Sequence, residues 1–438
     1  MQPYADRRAR LLDALAGGVA VIPSARELLR NGDSIYEFRQ NSDFFYLTGF
    51  DEPDAVPVLA PDHPEHRSVL FVRESDRALE IWNGRRLGVD RAAETIGVDA
   101  AYAIDDLDDL LPECLAGANT LYYDLGATAD MDRTVTRALE ATRSRTRRKG
   151  RAPVAIAEAG TLVHPMRLIK SAEEIALMRR GAEITRIGYL AAMAATRPGV
   201  HEYEIEALME YEYRRNGALR EAYESIVASG DNATILHYCT NREVMRDGDL
   251  LLIDSGAEYA YYASDVTRTW PVNGRFTAEQ RAIYEIVEAA HEAACAKVRP
   301  GEPQRAFHHA AVRTITEGLI EIGLLTGSID ENIEKETYRD YFMHGTGHWL
   351  GLDVHDAGRY RDDNDEPVTL VPGMVTTVEP GIYVQRDLNC DERFKGIGVR
   401  IEDDLLVTPD GHENLTAAIP KSVDELERTI GRDALVSH

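Results

Sequence analysis

The spacing of apolar and polar residues divides the chain into two regions. In residues 1–165, short apolar runs of strand length alternate with helical stretches, an order typical of an α/β domain. The apolar runs are residues 19–22, 56–59, 68–72 and 121–123, and the helical stretches are residues 6–16 and 132–142. We therefore expect an N-terminal α/β domain over residues 1–165. Within this domain, the aromatic residues of the segment YEFRQNSDFFYLTGFDEP, residues 36–53, are predicted to pack in a core.

From Ser171 the apolar residues recur with the spacing of an α-helix. Ser-Ala-Glu-Glu is the sequence of a helix capping box. The predicted helix ends at an Arg-Pro-Gly turn, residues 197–199, and the same order of cap, helix and Arg-Pro-Gly turn recurs from Thr277. Each of these helices is followed by another, predicted over residues 202–215 and 305–322.

The β segments after the two helix pairs repeat as well. One apolar run ends in Asp254 and another in Glu379, each two residues before a glycine. A later β segment of each half supplies a second acid, Asp265 in the first half and Glu402 in the second. We therefore expect residues 166–438 to form an α+β domain of two related helix-helix-sheet halves, with helices covering one side of the sheets.

Composition limits the classes of partner. With 438 residues, 44% of them hydrophobic, the chain can bury more than one core. A formal charge of −26 and a pI near 4.9 argue against nucleic acid or an anionic membrane as a partner. Because the N-terminus lacks an apolar signal segment and no run approaches about 18 apolar residues, we expect a cytoplasmic protein. The four cysteines lie far apart without CxxC spacing, which is typical of reduced thiols.

The acids and a histidine-rich segment predict a metal site. A hairpin that places Asp254 beside Asp265 is unfavourable unless a cation lies between the two carboxylates. His344, His348 and His355 fall within twelve residues and do not have the HExxH spacing of helical zinc proteases. Four carboxylates and one imidazole suit Mn²⁺, with Zn²⁺ or Co²⁺ as alternatives, and could hold two ions roughly 3.5 Å apart around a shared water.

Several stretches, taken together, carry a resemblance. IDSGAEYAYYASDVTRTWPVNGRF, HGTGHWLGLDVHD, TVEPGIY and GVRIEDD resemble the active-site blocks of the pita-bread metallopeptidases, and within them of the bacterial aminopeptidases P. YEFRQNSDFFYLTGFDEP and IWNGRRLG resemble the creatinase-like N-terminal domain of the same family. The resemblance spans nearly the whole chain and implies a creatinase-like domain over residues 1–165 and a pita-bread catalytic domain over residues 166–438.

The resemblance also implies roles for individual residues. The implied metal ligands are Asp254, Asp265, His348, Glu379 and Glu402, with Asp265 and Glu402 bridging two ions. Glu379 would also handle the proton of the attacking hydroxide. The residues implied around the substrate are His355, which would stabilise the tetrahedral intermediate, His237 and His344, which would line the pocket and assist proton transfer, and Tyr383 and Arg400. Trp82 resembles a tryptophan that reaches a neighbouring subunit's site, which implies a homo-oligomer, either a dimer or a tetramer.

The implied reaction is hydrolysis of the bond between a free N-terminal residue and a following proline. A prolidase, or a relative acting on organophosphorus esters, would have the same metal centre, although FRQNSDFFYLTGF favours an aminopeptidase P. A metal-free binding module of this fold is disfavoured because all five ligand types are present. The native metal, the physiological peptides and the preferred peptide length stay open, the last because residues 359–366 (RYRDDNDE) are more acidic than the resemblance leads us to expect.

A basic run at residues 143–151 (RSRTRRKGR) stands out in an acidic chain and lies near the expected domain boundary. Most runs of this kind are solvated helix ends or linkers. A role for one of these arginines in binding a substrate carboxylate is the alternative.

Overall fold

A computed structural model describes residues 2–147 and 150–431. The chain divides into two compact units, Met1–Arg167 and Leu168–His438. The division lies next to the boundary expected at residue 165. No helix in the described part of the chain is long and apolar enough to cross a membrane.

The N-terminal unit is built on a six-stranded mixed sheet. Its strands are β1 (Val19–Val21), β4 (Val56–Leu59), β5 (Ser68–Val72), β6 (Ala100–Ala103), β7 (Thr120–Tyr122) and β8 (Ala155–Ala157), and a separate hairpin consists of β2 (Leu29–Asn31) and β3 (Ser34–Ile35). The order across the sheet is β6-β5-β4-β1-β7-β8. Strand β4 is antiparallel to both of its neighbours, whereas β7 is parallel to β1 and β8. The predicted α/β class is confirmed.

Among the described residues, seven α-helices accompany this sheet. They are α1 (Gln2–Ala14), α2 (Ser42–Thr48), α3 (Arg77–Asn83), α4 (Val89–Ile96), α5 (Leu107–Cys114), α6 (Ala129–Thr146) and α7 (Gly160–Leu168). The Asn41 side chain caps α2, and every residue of that helix is buried. The α2 part of the aromatic segment therefore packs in the core as predicted, whereas Tyr36 at the start of the segment is exposed. The basic run begins as the exposed end of α6, where Arg145 pairs with Glu113 at 3.5 Å. Arg148 and Lys149 of that run lie outside the described residues.

The C-terminal unit contains two long helix pairs. Its helices are α8 (Ala172–Ala195), α9 (Glu202–Arg215), α10 (Ala278–Cys295), α11 (Ala306–Glu321), α12 (Ile329–Glu334) and α13 (Val423–Thr429). Capping boxes begin α8 at Ser171 and α10 at Thr277, as the sequence predicts. The helices pack on the sheets through large buried side chains; Tyr189 of α8, for example, lies edge-on to Trp270 at 6.3 Å between ring centroids.

Four small antiparallel sheets complete this unit. Their strands are β9 (Arg220–Glu221), β10 (Ile226–Ser229), β11 (Leu250–Asp254), β12 (Ala257–Tyr259), β13 (Tyr262–Ala263), β14 (Thr267–Pro271), β15 (Val375–Val378), β16 (Gly381–Val384), β17 (Ile397–Arg400), β18 (Asp403–Thr408) and β19 (Gly411–Asn414). The sheets are β10-β11-β14, β13-β12-β9, β15-β18-β19 and β16-β17. Strands β11 and β14 pair antiparallel with Asp254 opposite Thr267, which confirms the predicted pairing.

Candidate metal centre

The five predicted metal ligands come from both halves of the C-terminal unit and meet at strand ends. Asp254 ends β11, Asp265 precedes β14, Glu379 follows β15, and Glu402 lies between β17 and β18. His348 Nε2 is 3.3 Å from Asp265 Oδ2 and 3.8 Å from Glu379 Oε1. One donor atom each of Asp265, His348 and Glu402 lie within 4.8 Å of one another. The side chains that the sequence singled out are therefore brought together.

Three glycines allow the strands to approach so closely. A Cβ atom on Gly256 would lie 1.6 Å from the carbonyl oxygen of Ser264, in the segment that leads to Asp265. A Cβ atom on Gly347 would lie 2.0 Å from the carbonyl oxygen of Thr377, and one on Gly398 would lie 2.0 Å from the carbonyl oxygen of Ala233. Because every partner is a backbone atom, no side-chain rotation could relieve these clashes.

The histidine-rich segment is tied to β15 by backbone hydrogen bonds. The Thr377 N–H donates to the His348 carbonyl at 2.9 Å, and the Glu379 N–H donates to the Thr346 carbonyl at 2.8 Å. These two bonds fix the imidazole and the carboxylate on neighbouring chains. The segment is therefore a loop held against a strand.

The carboxylates repel one another in a buried setting. Burial, followed by the charges of Asp265 and Glu379, raises the pKa of Glu402 well above its ordinary value. Burial likewise raises the pKa of Glu379 to about 7, although His348 and Arg400 oppose the shift. Burial lowers the pKa of His348, but its hydrogen bond to Asp265 and the nearby carboxylates reverse the effect and raise it to about 9.

Divalent cations would remove this conflict, because they keep carboxylates ionised and imidazole neutral. A set of four carboxylates and one imidazole also matches the ligand preference of Mn²⁺, and Zn²⁺ and Co²⁺ are alternatives. The donor set therefore fits a divalent metal centre.

Among the described residues that line the cavity, Arg400 carries the only guanidinium group. Its Nη2 donates to Asp254 Oδ2 at 2.7 Å, its Nη1 to the Tyr383 hydroxyl at 3.0 Å, and its Nε to Thr267 Oγ1 at 3.0 Å. Thr267 Oγ1 in turn donates to Glu402 Oε2 at 2.7 Å. Arg400 thus orients one acid from each half of the unit.

Tyr223 is a site residue that the sequence analysis missed. Its hydroxyl lies 2.6 Å from Asp254 Oδ1 and 2.5 Å from Asp265 Oδ1, between the two acids of the first half. Tyr223 precedes β10, far from either acid in sequence, and no motif marks it. Only the pairing of β10 with β11 brings the phenol to the carboxylates.

The ligand cluster opens into a cavity of about 600 Å³. The other predicted residues in its lining are His237, His344, His355 and Arg400. Burial and the charge of Arg400 lower the pKa of His344 to about 3, so its ring is neutral, and its Nε2 lies 2.8 Å from the Tyr383 hydroxyl. The ring of His355 stands edge-on to that of His348 at 4.3 Å between centroids.

Two predicted residues lie elsewhere. Tyr383 does not line the cavity, since its ring is fully buried behind His344. Trp82 belongs to α3 of the N-terminal unit, where its side chain is 84% exposed.

A buried glutamate holds the loop that carries His237. Glu202, at the start of α9, is fully buried and accepts five hydrogen bonds from that loop and its flanks. The donors are the Ser229 N–H and hydroxyl, the Asn232 amide, the Tyr238 hydroxyl and the Glu243 N–H. Because Tyr238 follows His237 directly, Glu202 fixes the position of the imidazole from behind.

A second buried cluster supports Glu402 from outside the cavity. Arg268, fully buried, donates from Nη1 to the Glu402 carbonyl at 2.5 Å and from Nη2 to Asp403 Oδ1 at 2.6 Å. Asp403 also contacts Lys421 Nζ at 2.6 Å and His291 Nε2 at 3.3 Å. This ion-pair cluster contains no group of the cavity lining.

The chain matches two family models. The model "Metallopeptidase family M24" covers residues 176–409, and "Aminopeptidase P, N-terminal domain" covers residues 4–122. A curated Xaa-Pro aminopeptidase of Escherichia coli is 46% identical over 428 residues, with 97% of each chain covered. The human protein named Xaa-Pro aminopeptidase 3 is 35% identical, with 97% of this chain and 85% of the relative covered.

Solved structures agree with these sequence matches. The structure of Pseudomonas aeruginosa aminopeptidase PepP superposes with a TM-score of 0.95 at 46% identity, covering 98% of this chain and 97% of the other. A zinc-substituted E. coli aminopeptidase P in complex with product superposes with a TM-score of 0.94, also at 46% identity and with the same two coverages. The two-domain architecture implied by the sequence is thereby confirmed.

Proposed function

The chain belongs to the Xaa-Pro aminopeptidases of metallopeptidase family M24, and we propose that it releases the N-terminal residue from peptides with proline second, using two divalent ions. The observation that carries the proposal is the convergence of four carboxylates and one imidazole in a single cavity. Mn²⁺ is the proposed metal, with Zn²⁺ or Co²⁺ as alternatives.

The five residues that would hold the ions all line the cavity: Asp254, Asp265, His348, Glu379 and Glu402. When bound, the ions would supply a water that is nucleophilic at neutral pH and would polarise the scissile carbonyl. Tyr223 and Arg400 hold the carboxylates of the first half in place for this purpose.

The remaining steps fall to side chains of the cavity. Glu379, whose carboxylate lines the cavity beside His348, would take the proton of the attacking water. His355, beside His348, donates to the oxygen of the tetrahedral intermediate. His237 and His344 bind the substrate and assist proton transfer, and Tyr383 fixes the His344 ring.

The substrate's proline amide has no N–H, so the pocket needs an apolar surface rather than a hydrogen-bond acceptor at that position. Ile226, Leu236 and Val354 of the lining supply such a surface. A cytoplasmic location and a homo-oligomer, dimer or tetramer, in which Trp82 reaches a neighbouring subunit, complete the proposal. The 84% exposure of Trp82 within its unit supports this last part.

The test compares an Xaa-Pro-Xaa tripeptide with the matching Xaa-Pro dipeptide on one preparation of known metal content. We expect hydrolysis of the tripeptide at the first bond, loss of activity on chelation and recovery with Mn²⁺. Cys239→Ser serves as a control that keeps all proposed ligands. Turnover of the dipeptide alone would make the protein a prolidase, and full activity after verified metal removal would refute the metal mechanism.

A further inference from the structure

The wall of the cavity carries one carboxylate that does not belong to the ligand cluster. The apolar part of this wall is formed by Ile226, Leu236 and Cys239, which pack in one hydrophobic cluster, and Glu224 also belongs to the cavity lining. The other acids of the lining are the proposed metal ligands. Glu224 therefore has a position in the cavity that the proposed chemistry does not use.

Alternation along the chain orients the Glu224 side chain toward the cavity. Ser225, the next residue, points away from it, since its hydroxyl lies 2.8 Å from Ser255 Oγ and donates to Glu221 Oε2 at 3.0 Å in the buried interior. Ile226, one residue further, lines the cavity again. Residues two apart on an extended chain share a face, so Glu224 and Ile226 face the same space.

Cys239 lies next to Glu224 in the cavity lining. The Cys239 thiol donates to the main-chain carbonyl of Glu224 at 3.9 Å, and burial followed by the charge of Glu224 raises the pKa of Cys239 to about 11. Both residues line the same cavity. The negative charge thus lies at the apolar wall.

Glu224 has no cationic partner of its own. Within residues 2–147 and 150–431, no lysine, arginine or histidine forms an ion pair with it, whereas Asp254 has Arg400 at 2.7 Å. Glu224 is exposed, so in the free protein its carboxylate is solvated by water rather than paired with a cation. A carboxylate of this kind beside an apolar wall suits a ligand with an alkyl stem and a cationic end.

We propose that Glu224 selects substrates whose N-terminal residue has a cationic side chain, lysine or arginine. The alkyl part of the side chain would pack on the wall and its ammonium or guanidinium would pair with Glu224. The inference rests on the proposed aminopeptidase function and names its substrate class. The α-amine is common to all substrates, so the preference comes from the side chain alone.

The experiment compares Lys-Pro-Ala with norleucine-Pro-Ala, in which a methyl replaces the ammonium group. We expect kcat/KM to favour the lysine peptide about fivefold, the range of a partly solvated ion pair, with most of the difference in KM because the pair forms before the transition state. In Glu224→Gln the ratio of the two values should fall to about one, and in Glu224→Lys below one.

Glu206→Gln is the matched control. Glu206 also contributes to the electrostatic field at Cys239 but does not line the cavity, so this variant should keep the preference for lysine. Equal kcat/KM for the two peptides in the parent enzyme, or a lysine preference that survives in Glu224→Gln, would overturn the inference. Failure to hydrolyse either tripeptide would instead count against the proposed function.

Discussion

The metal centre and the ion-pair cluster behind it contain adjacent buried carboxylates with opposite properties. Burial and the neighbouring acids raise the pKa of Glu402 well above its ordinary value. Burial also acts to raise the pKa of Asp403, but Arg268 and then the other nearby cations outweigh it and hold that pKa far below the ordinary value. The desolvation penalty applies to both residues, so the neighbouring charges decide the outcome.

The difference separates two uses of a buried charge. The charge of Asp403 is balanced by cationic side chains of the same chain, so it is paired whenever the protein is folded. Glu402 lies among like charges and can be neutralised by a cation from outside. The first arrangement stabilises the fold once formed, whereas the second stores unfavourable energy that ligand binding releases.

The largest expected effect comes from removing the charge of Glu402. Glu402→Gln should reduce hydrolysis by roughly a thousandfold or more, because metal activation supplies several kcal/mol of transition-state stabilisation. The metal-free variant should be at least as stable as the metal-free parent, since a repelling charge is lost. Elemental analysis and urea denaturation measure the two effects. A metal-free variant markedly less stable than the parent would contradict this view of the site.

The opposite result is expected one residue away. Asp403→Asn leaves Arg268 and Lys421 without their carboxylate, so the free energy of unfolding should fall by about 3–5 kcal/mol. Glu413→Gln, which breaks an exposed pair with Arg179, is the control and should cost less than about 1 kcal/mol. Equal losses in the two variants would show that burial does not distinguish these pairs.

A carboxylate in the N-terminal unit gives an intermediate case. Burial would raise the pKa of Asp43, but bonds to His164 and Arg167 lower it below its ordinary value of 3.8. The bond to Asp43 raises the pKa of His164 above its ordinary value of 6.5, despite partial burial. Of the two cationic partners of Asp43, Arg167 stays charged, whereas His164 loses its charge as the pH rises through its pKa.

The smallest expected effect follows from this pair. A raised histidine pKa adds stability that is complete below pH 6.5 and is lost as the pH rises through the folded-state value. A lowered aspartate pKa adds stability that is present above pH 3.8 and lost below it. His164→Gln should remove the first dependence, by about 0.5 kcal/mol since the imidazole is partly exposed, in denaturation curves between about pH 6 and pH 8. An unchanged pH profile would contradict it.

Periodic features of the sequence predicted much of the fold. Apolar runs gave the strands at residues 56–59 and 68–72 with the observed bounds, and capping boxes gave the starts of α8 and α10. These signals are local, since each depends on neighbours within one or two turns. The internal repeat added a longer-range prediction, because it matched the two acids of the first half with two acids of the second half.

The residues that support the site escaped prediction because their contacts are not local in sequence. Tyr223 and Glu202 act through contacts with groups far away in sequence, and tyrosines or glutamates at such positions are usually ordinary surface residues. Asp403 was visible only as part of a run of acids. Which of two adjacent acids faces the cavity and which faces Arg268 depends on the local path of the chain between β17 and β18.

The three glycines at the centre have a consequence for how the enzyme can change. At Gly256, Gly347 and Gly398, a single methyl group would collide with backbone, so almost any mutation there removes the site as a whole. Glu224 is exposed at the cavity, so a different side chain at this position meets no such collision. If Glu224 selects the substrate as proposed, substrate preference can change by mutation at this position while the reaction centre stays fixed.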